Sequence, residues 1–263
     1  GLAWLEGLSR LGLGGILADD MGLGKTIQVL ALLLHRQAHS PEFGPATLLV
    51  CPTSLLGNWE RELAKFAPSL PVFVHHGNNR DRLPSMFKPH TLVLTTYGVV
   101  RREEDTFATR PWGMVVVDEA QAIKNAGSAQ AKAIRKLRGA FRLALTGTPI
   151  ENRLTELWAI MSAALPGYLG SESHFKERFA TPIEKYRDPD AANELRQRIG
   201  PFILRRLKSD KAIIQDLPEK HEMKVFTTLS REQAELYQYR VEKMDEELDA
   251  ASSGIERRGR ILA

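Results

Sequence analysis

Between residues 14 and 146 the sequence alternates short β-rich runs with amphipathic helical patterns, and this alternation restricts the fold more than any other feature. The runs cover residues 15–18, 47–51, 72–75, 91–96, 114–118 and 142–146. Most are apolar without a polar alternate, the pattern of parallel strands covered on both faces. Between them, Ile27, Leu30, Ala31 and Leu34 share one helical face, and Trp59, Leu63 and Phe66 share another. Strand and helix in regular turn require right-handed crossovers. The expected fold class is therefore α/β, a doubly wound parallel sheet flanked by helices.

The pattern changes after residue 165. Pro166 and Gly167 stop a helix whose apolar face is Leu154, Leu157, Trp158 and Met161. The remaining stretch reads as a mainly helical, more charged C-terminal extension with one β-like run over residues 223–228. Ser230 and Gln233 form a capping box that opens a polar helix, which Ser252, Ser253 and Gly254 end. Its acidic stretch, residues 242–249, reads as a solvated face. The expected division is residues 1–165 and residues 166–263.

Composition narrows the partners. No apolar run approaches the ~20 residues needed to cross a bilayer, so no membrane partner is expected. The single cysteine, Cys51, precludes an internal disulfide or a cysteine-built metal site, and suits a small core position in a reducing compartment. His75 and His76 have no acidic or cysteine partners at ligand spacing and are assigned no metal. A net charge of +4 permits a polyanionic partner without requiring one.

The strongest local signal is Asp19-Asp20-Met21-Gly22-Leu23-Gly24-Lys25-Thr26, placed between a strand and a helix as a phosphate-binding loop requires. Gly22 and Gly24 allow backbone conformations closed to residues with a Cβ, so that N–H groups can approach phosphate oxygens. The helix N-terminus after the loop adds its positive dipole end. Lys25 is expected to neutralise the β- and γ-phosphates of a nucleotide, and the Thr26 hydroxyl to ligate Mg²⁺. Asp20 to Thr26, through Met21, Gly22, Leu23, Gly24 and Lys25, is the expected nucleotide cradle. Asp19 stands where the generic loop has glycine. The plain alternative is a glycine-rich turn carrying a chance lysine.

A second signal is Val115-Val116-Val117-Asp118-Glu119-Ala120-Gln121, an apolar strand ending in adjacent carboxylates. Ligands of open α/β sheets sit at the carboxyl ends of strands, which brings Asp118 and Glu119 beside the phosphate loop. Asp118 is expected to hold magnesium, and Glu119 to orient and deprotonate the water that attacks the γ-phosphate. An isolated acid pair more often caps the next helix; downstream of a phosphate loop it carries more.

With these residues in place, the chain resembles superfamily-two helicases, and among them the SWI/SNF-type DNA-translocating ATPases. Ile16-Leu17-Ala18-Asp19-Asp20-Met21-Gly22-Leu23-Gly24-Lys25-Thr26-Ile27-Gln28 is similar to that family's motif I, which carries an acid at the position of Asp19. Leu49-Val50-Cys51-Pro52-Thr53-Ser54-Leu55-Leu56 with Asn58-Trp59 resembles motif Ia, and Thr95-Thr96-Tyr97-Gly98 motif Ib. Asp118-Glu119-Ala120-Gln121 resembles motif II, with Gln121 in place of the common histidine, and Leu145-Thr146-Gly147-Thr148-Pro149 resembles motif III. Pro201-Phe202-Ile203-Leu204-Arg205-Arg206-Leu207-Lys208 and Leu217-Pro218-Glu219-Lys220 are similar to a run that separates this family from other helicases.

The resemblance implies a RecA-like first lobe over residues 1–165, with 166–263 a helical subdomain and return segment leading towards a second RecA-like lobe of the same polypeptide, absent here. It implies ATP with Mg²⁺ as cofactors and double-stranded DNA as partner, and leaves room for protein partners on the DNA. Backbone contacts with one DNA strand fall to Thr53, Ser54, Asn58, Thr96 and Gly98; such contacts position a duplex without reading it. Thr146, Gly147 and Thr148 would relay the γ-phosphate state from Glu119 and Gln121 to the DNA-facing loops, with simple turn chemistry as the competitor. Trp59, on an apolar helical face, reads as core rather than as a base-stacking platform. Arg205, Arg206, Lys208 and Lys211 form a basic patch, open to reading as a solvated face or as a contact with the second lobe or DNA.

Two other readings stand beside this one. An RNA helicase lobe is disfavoured by Thr146-Gly147-Thr148-Pro149 and by the Pro-Phe-Ile-Leu-Arg-Arg run; a catalytically idle ATP- or DNA-binding module is disfavoured by the intact Lys25, Asp118 and Glu119 set. Without the arginines of a second lobe, the isolated chain is expected to bind ATP weakly and hydrolyse it very slowly. The expected location is the cytoplasm of a prokaryote, or a nucleus if the source is eukaryotic.

Overall fold

The computed structural model describes residues 1–39, 45–77, 83–149, 152–208, 210, 223 and 227–249. In chain order the first half runs α1 (Leu2–Arg10), β1 (Gly15–Leu17), α2 (Lys25–His39), β2 (Thr47–Cys51), α3 (Leu56–Phe66), β3 (Val72–His75), β4 (Leu92–Thr96), α4 (Tyr97–Arg102), α5 (Glu104–Ala108) and β5 (Pro111–Val117). The second half runs α6 (Ala129–Lys136), β6 (Arg138–Leu145), α7 (Leu154–Ala164), α8 (Glu172–Phe175), α9 (Thr181–Tyr186), α10 (Pro189–Ile199), β7 (Ile203–Leu204) and α11 (Arg231–Asp249).

The strands form one parallel sheet in the order β3-β4-β2-β5-β6-β1-β7. Alternate residues of each inner strand enter opposite cores, the period-two consequence of the pleat. Leu48, Val50, Val93, Val115 and Val117 face one side with α7. Leu49, Leu92, Leu94, Met114 and Val116 face the other with α1, α2 and α3. Both faces are apolar because both are covered, so the unbroken apolar runs in the sequence mark parallel strands. At the edge, β3 leaves Val72 and Val74 exposed.

Three differences from the sequence reading have physical causes. β5 and β6 begin earlier than expected, at Pro111 and Arg138, because their first residues pair with one another in parallel register. A seventh strand, β7, lies in what reads as helical sequence; two residues suffice because Ile203 and Leu204 pair with Ile16 and Leu17. The compact unit also extends past residue 165, over Gly1–Gln215, with Asp216–Ala263 as a second unit. Leu169, Phe175, Phe179 and Leu195 of the helical extension belong to the same core as the sheet, and the Trp158 indole donates to the Gly170 carbonyl at 3.1 Å.

In the second unit, α11 opens as the capping box requires: Gln233 N donates to Ser230 Oγ at 3.3 Å, and Ser230 N to Gln233 Oε1 at 3.0 Å. The β-like run at 223–228, the Ser252–Gly254 stop, the Leu217-Pro218-Glu219-Lys220 segment and Lys211 lie outside the described residues, wholly or in part.

Candidate nucleotide site

The site lies where β1, β6 and β5 end. β6 stands between the other two, with Leu143 beside Gly15 and Val116 in the paired registers. The loop after β1 therefore faces the acids after β5 across the end of β6, as open parallel sheets arrange their ligand sites. Cys51, at the end of β2, is buried, and burial pushes its thiol up to about 12.

In the loop, Gly22 (φ 84°) and Gly24 (φ 71°) both adopt the left-handed conformation, so both positions need glycine. α2 begins at Lys25, directly after the loop, and the N–H groups of its first turn have no partner within the helix. Lys25 Nζ donates to the Asp19 carbonyl at 2.7 Å and lies 3.4 Å from that of Asp20. The lysine thus folds against its own loop, on acceptors that a phosphate oxygen can replace.

A cleft of about 450 Å³ joins the two halves; Gly22, Gly24, Lys25 and Thr26 line it together with Asp118 and Glu119. Ile27 and Phe66 line it too. Periodicity assigns both to buried faces, yet Ile27 is 40% and Phe66 45% exposed. α2 instead buries Val29, Leu30, Leu32 and Leu33, and α3 buries Leu56, Trp59 and Leu63. The two displaced side chains form an apolar wall of the cleft.

Asp118 is 8% exposed. Its Oδ2 accepts from Trp59 Nε1 at 2.8 Å and its Oδ1 from the Glu119 amide at 2.9 Å. Burial raises its pKa, and those two hydrogen bonds offset the rise only in part. Glu119 adds like charge, while Lys25 works in the opposite direction. A buried carboxylate left with its charge under-compensated is a fitting ligand for a hard cation, and the Thr26 hydroxyl on the same cleft supplies a second oxygen.

Glu119 adopts a left-handed conformation (φ 51°), an uncommon state for a residue with a side chain. Tyr97, buried at the end of β4, fixes this turn: its hydroxyl donates to the Asp118 carbonyl at 2.6 Å and lies 3.3 Å from that of Glu119. The Glu119 carboxylate accepts from Gln121 Nε2 at 2.5 Å. Gln121 Oε1 accepts from Thr146 Oγ1 at 3.0 Å, and Thr146 Oγ1 accepts from the Thr148 amide at 3.1 Å. Thr146 is fully buried. An unbroken polar chain therefore runs from the acid pair to the loop after β6.

A family model described as the SNF2-related domain matches residues 1–262. The chain belongs to that family. YwqA of Bacillus subtilis (strain 168), a putative ATP-dependent helicase/translocase, is 45% identical over all of this chain and 29% of its own length. The TATA-binding protein-associated factor mot1 of Schizosaccharomyces pombe is 38% identical over 84% of this chain and 12% of its own length. Among solved structures, the Sulfolobus solfataricus SWI2/SNF2 ATPase core in complex with dsDNA is 45% identical, with a TM-score of 0.75 over all of this chain and 54% of that one. The core domain from the same organism gives 46% and 0.72, over 53% of its chain. This chain thus spans about half of the solved cores and less than a third of these curated relatives. The sheet is the RecA-like fold of the SWI2/SNF2 core.

Within this SNF2-related domain the residues expected at DNA separate into two groups. β2 and β4 are paired neighbours with Cys51 beside Thr96, so Thr53, Ser54 and Gly98 lie just past neighbouring strand ends, at one end of the sheet. Ser54 and Gly98 are exposed, as is Thr53. Thr96 differs: it is only 3% exposed. Asn58 differs as well, since it lines the cleft beside Lys25 and Asp118 and donates to Glu62 Oε1 at 3.2 Å. In the basic patch, Arg206 turns inward to Asp19. His75 pairs with Glu103 at 2.8 Å. The roles of Tyr97 as a brace and Trp59 as a donor are not legible from sequence, because both depend on which strand ends meet. Trp59 is core, 1% exposed, and also a site residue.

Proposed function

We propose that this chain is the nucleotide-binding lobe of an ATPase that moves along double-stranded DNA. One observation carries the reading: Lys25, Asp118 and Glu119 line a single cleft, and the Glu119–Gln121–Thr146 chain leads out of it. The relatives named as ATP-dependent helicases and the archaeal core with dsDNA support both nucleotide and partner.

In this reading the loop amides and Lys25 hold the β- and γ-phosphates, and Ile27 with Phe66 offers apolar surface beside them. Thr26 and Asp118 would hold Mg²⁺, which neutralises charge on the phosphate oxygens when bound. Glu119 accepts a proton from the attacking water, its carboxylate oriented by Gln121. Loss of the γ-phosphate alters what Glu119 must bind, and Gln121 and Thr146 pass that change to the loop holding Thr148. Thr53, Ser54 and Gly98 donate to the sugar-phosphate backbone, which gives grip without sequence preference. A second RecA-like lobe in the same polypeptide would close over the cleft and supply the cations that the transferring phosphoryl group needs.

The test uses the full-length polypeptide carrying this domain. ATP hydrolysis should rise with duplex DNA, stay low with RNA, and vanish with Lys25→Ala. Stimulation by RNA alone would identify an RNA helicase lobe instead. Absence of single-turnover hydrolysis with either nucleic acid would identify an idle binding module. The 263 residues alone should turn ATP over very slowly; robust DNA-stimulated turnover by them would contradict the need for a second lobe.

A further inference from the structure

Asp19 is fully buried, at 0% exposure. A carboxylate in that position persists only where other groups meet its charge. The groups come from 187 residues downstream: the Arg206 amide and Nε donate to Oδ1 at 3.0 and 3.1 Å, and Nη2 donates to Oδ2 at 2.5 Å. Gln28 Nε2 donates to Oδ2 at 3.1 Å. Burial pushes the Asp19 carboxyl up, but the hydrogen bonds from Arg206 and Gln28, with the Arg206 charge, outweigh it and hold the group below its usual range.

The pair extends into the phosphate loop by two routes. Arg206 Nη2 also donates to Gln28 Oε1 at 2.8 Å, and the Gln28 amide nitrogen lies 3.3 Å from the Leu23 carbonyl and 3.4 Å from that of Gly24. On the other side, the Asp19 carbonyl accepts from Lys25. The backbone adds a ladder beyond the last paired residues of β1 and β7: Ala18 N donates to the Leu204 carbonyl at 2.7 Å, Asp20 N to that of Arg206 at 3.0 Å, and Lys208 N to Asp20 Oδ2 at 3.0 Å. Residues 18–20 and 204–208 are thus fastened along their length, and the second of these segments lies shortly before the first compact unit ends at Gln215.

We infer that Arg206 is a positioning residue for the phosphate loop, and that through it the nucleotide state of Leu23–Lys25 is coupled to the course of residues 204–208. The inference rests on the reading of this cleft as an ATP site. Arg206 does not line the cleft, so it acts on nucleotide through Asp19 and Gln28. Such coupling is reciprocal: whatever fixes residues 204–208 must change ATP affinity by the factor with which ATP fixes them. A purely structural ion pair has no such consequence.

Hydrogen exchange of the full-length polypeptide, with and without saturating ATP, tests this without any substitution. The amides of Gly22–Thr26 report the nucleotide, and those of Arg206 and Lys208 report the coupling. Protection at both places is the expected result. Protection of Gly22–Thr26 alone overturns the inference and leaves the ATP site standing; protection at neither removes the ATP site and the inference with it. Substitution supplies the second measurement. Arg206→Ala should weaken ATP binding about tenfold, and Arg206→Lys, which keeps the cation but not the fork, roughly threefold. Turnover at saturating ATP should stay within about twofold of the parent in both, since Arg206 reaches no reacting group. Should Arg206→Ala fail to fold, Arg206→Lys carries the measurement; a folded variant with parental ATP affinity, or one with kcat lost and affinity kept, overturns the assignment.

Discussion

The indole nitrogen of Trp59 lies 2.8 Å from Oδ2 of Asp118, so a residue of α3 orients the acid that ends the central strand β5. Both partners are buried. The bond decides which lone pairs of Asp118 remain for a cation: Oδ2 is engaged by the indole, Oδ1 by the amide of Glu119.

Trp59→Phe tests this relationship, since it keeps an aromatic ring in the core and removes the donor. Leaving a buried carboxylate oxygen without its partner should cost about 1–3 kcal/mol of stability, read from urea denaturation without nucleotide. In the full-length polypeptide the Mg²⁺ concentration that half-saturates ATP hydrolysis should rise as well, because Asp118 is no longer held in one rotamer. An unchanged Mg²⁺ requirement would reduce Trp59 to packing.

Glu119→Gln separates binding from chemistry. The amide keeps the size of the side chain but cannot accept a proton from water. Nucleotide affinity should stay near that of the parent, while single-turnover hydrolysis falls by about 10²–10⁴-fold, the usual contribution of a positioned base. Turnover that survives the substitution would move the base elsewhere.

Thr146→Val removes the hydroxyl that donates to Gln121 and accepts from the Thr148 amide, at a fully buried position. ATP affinity should hold within about twofold. The stimulation of hydrolysis by duplex DNA should drop about tenfold, a typical coupling energy between linked sites. Equal loss of basal and stimulated rates would show that the chain supports the acid and relays nothing.

How far the sequence reveals the fold and the site depends on the range of each interaction. β2 and β4 are legible because a strand buried on both faces leaves no polar alternate, and Gly22 and Gly24 because the turn admits nothing else. β7 stays hidden, since two residues carry no periodicity and their pairing with β1 lies far off in sequence. Ile27 and Phe66 mislead for a related reason: a helical wheel tells apolar from polar, not core from cleft. The acid at Asp19 stands out as an irregularity, but its partner Arg206 looks like one more charge in a basic patch.

That pair gives the last prediction a sign. The folded pKa of Asp19 lies below its ordinary 3.8, so the stability it contributes is fully present above that value and is lost as pH falls through the folded pKa. Arg206→Ala leaves the burial of Asp19 and removes the fork, so the carboxyl must move upward. At about pH 7 the variant then holds a buried charge with its main partner gone, and should be less stable by on the order of 3 kcal/mol. As pH falls through the variant's raised pKa and then through the parent's lowered one, the carboxyl protonates in both and the deficit should shrink. Urea denaturation of the parent and Arg206→Ala across that range reads the difference directly, since every other acid is common to both. A deficit that stays constant with pH would mean that Arg206 contributes packing there, and that the charge of Asp19 is held by Gln28 and the backbone alone.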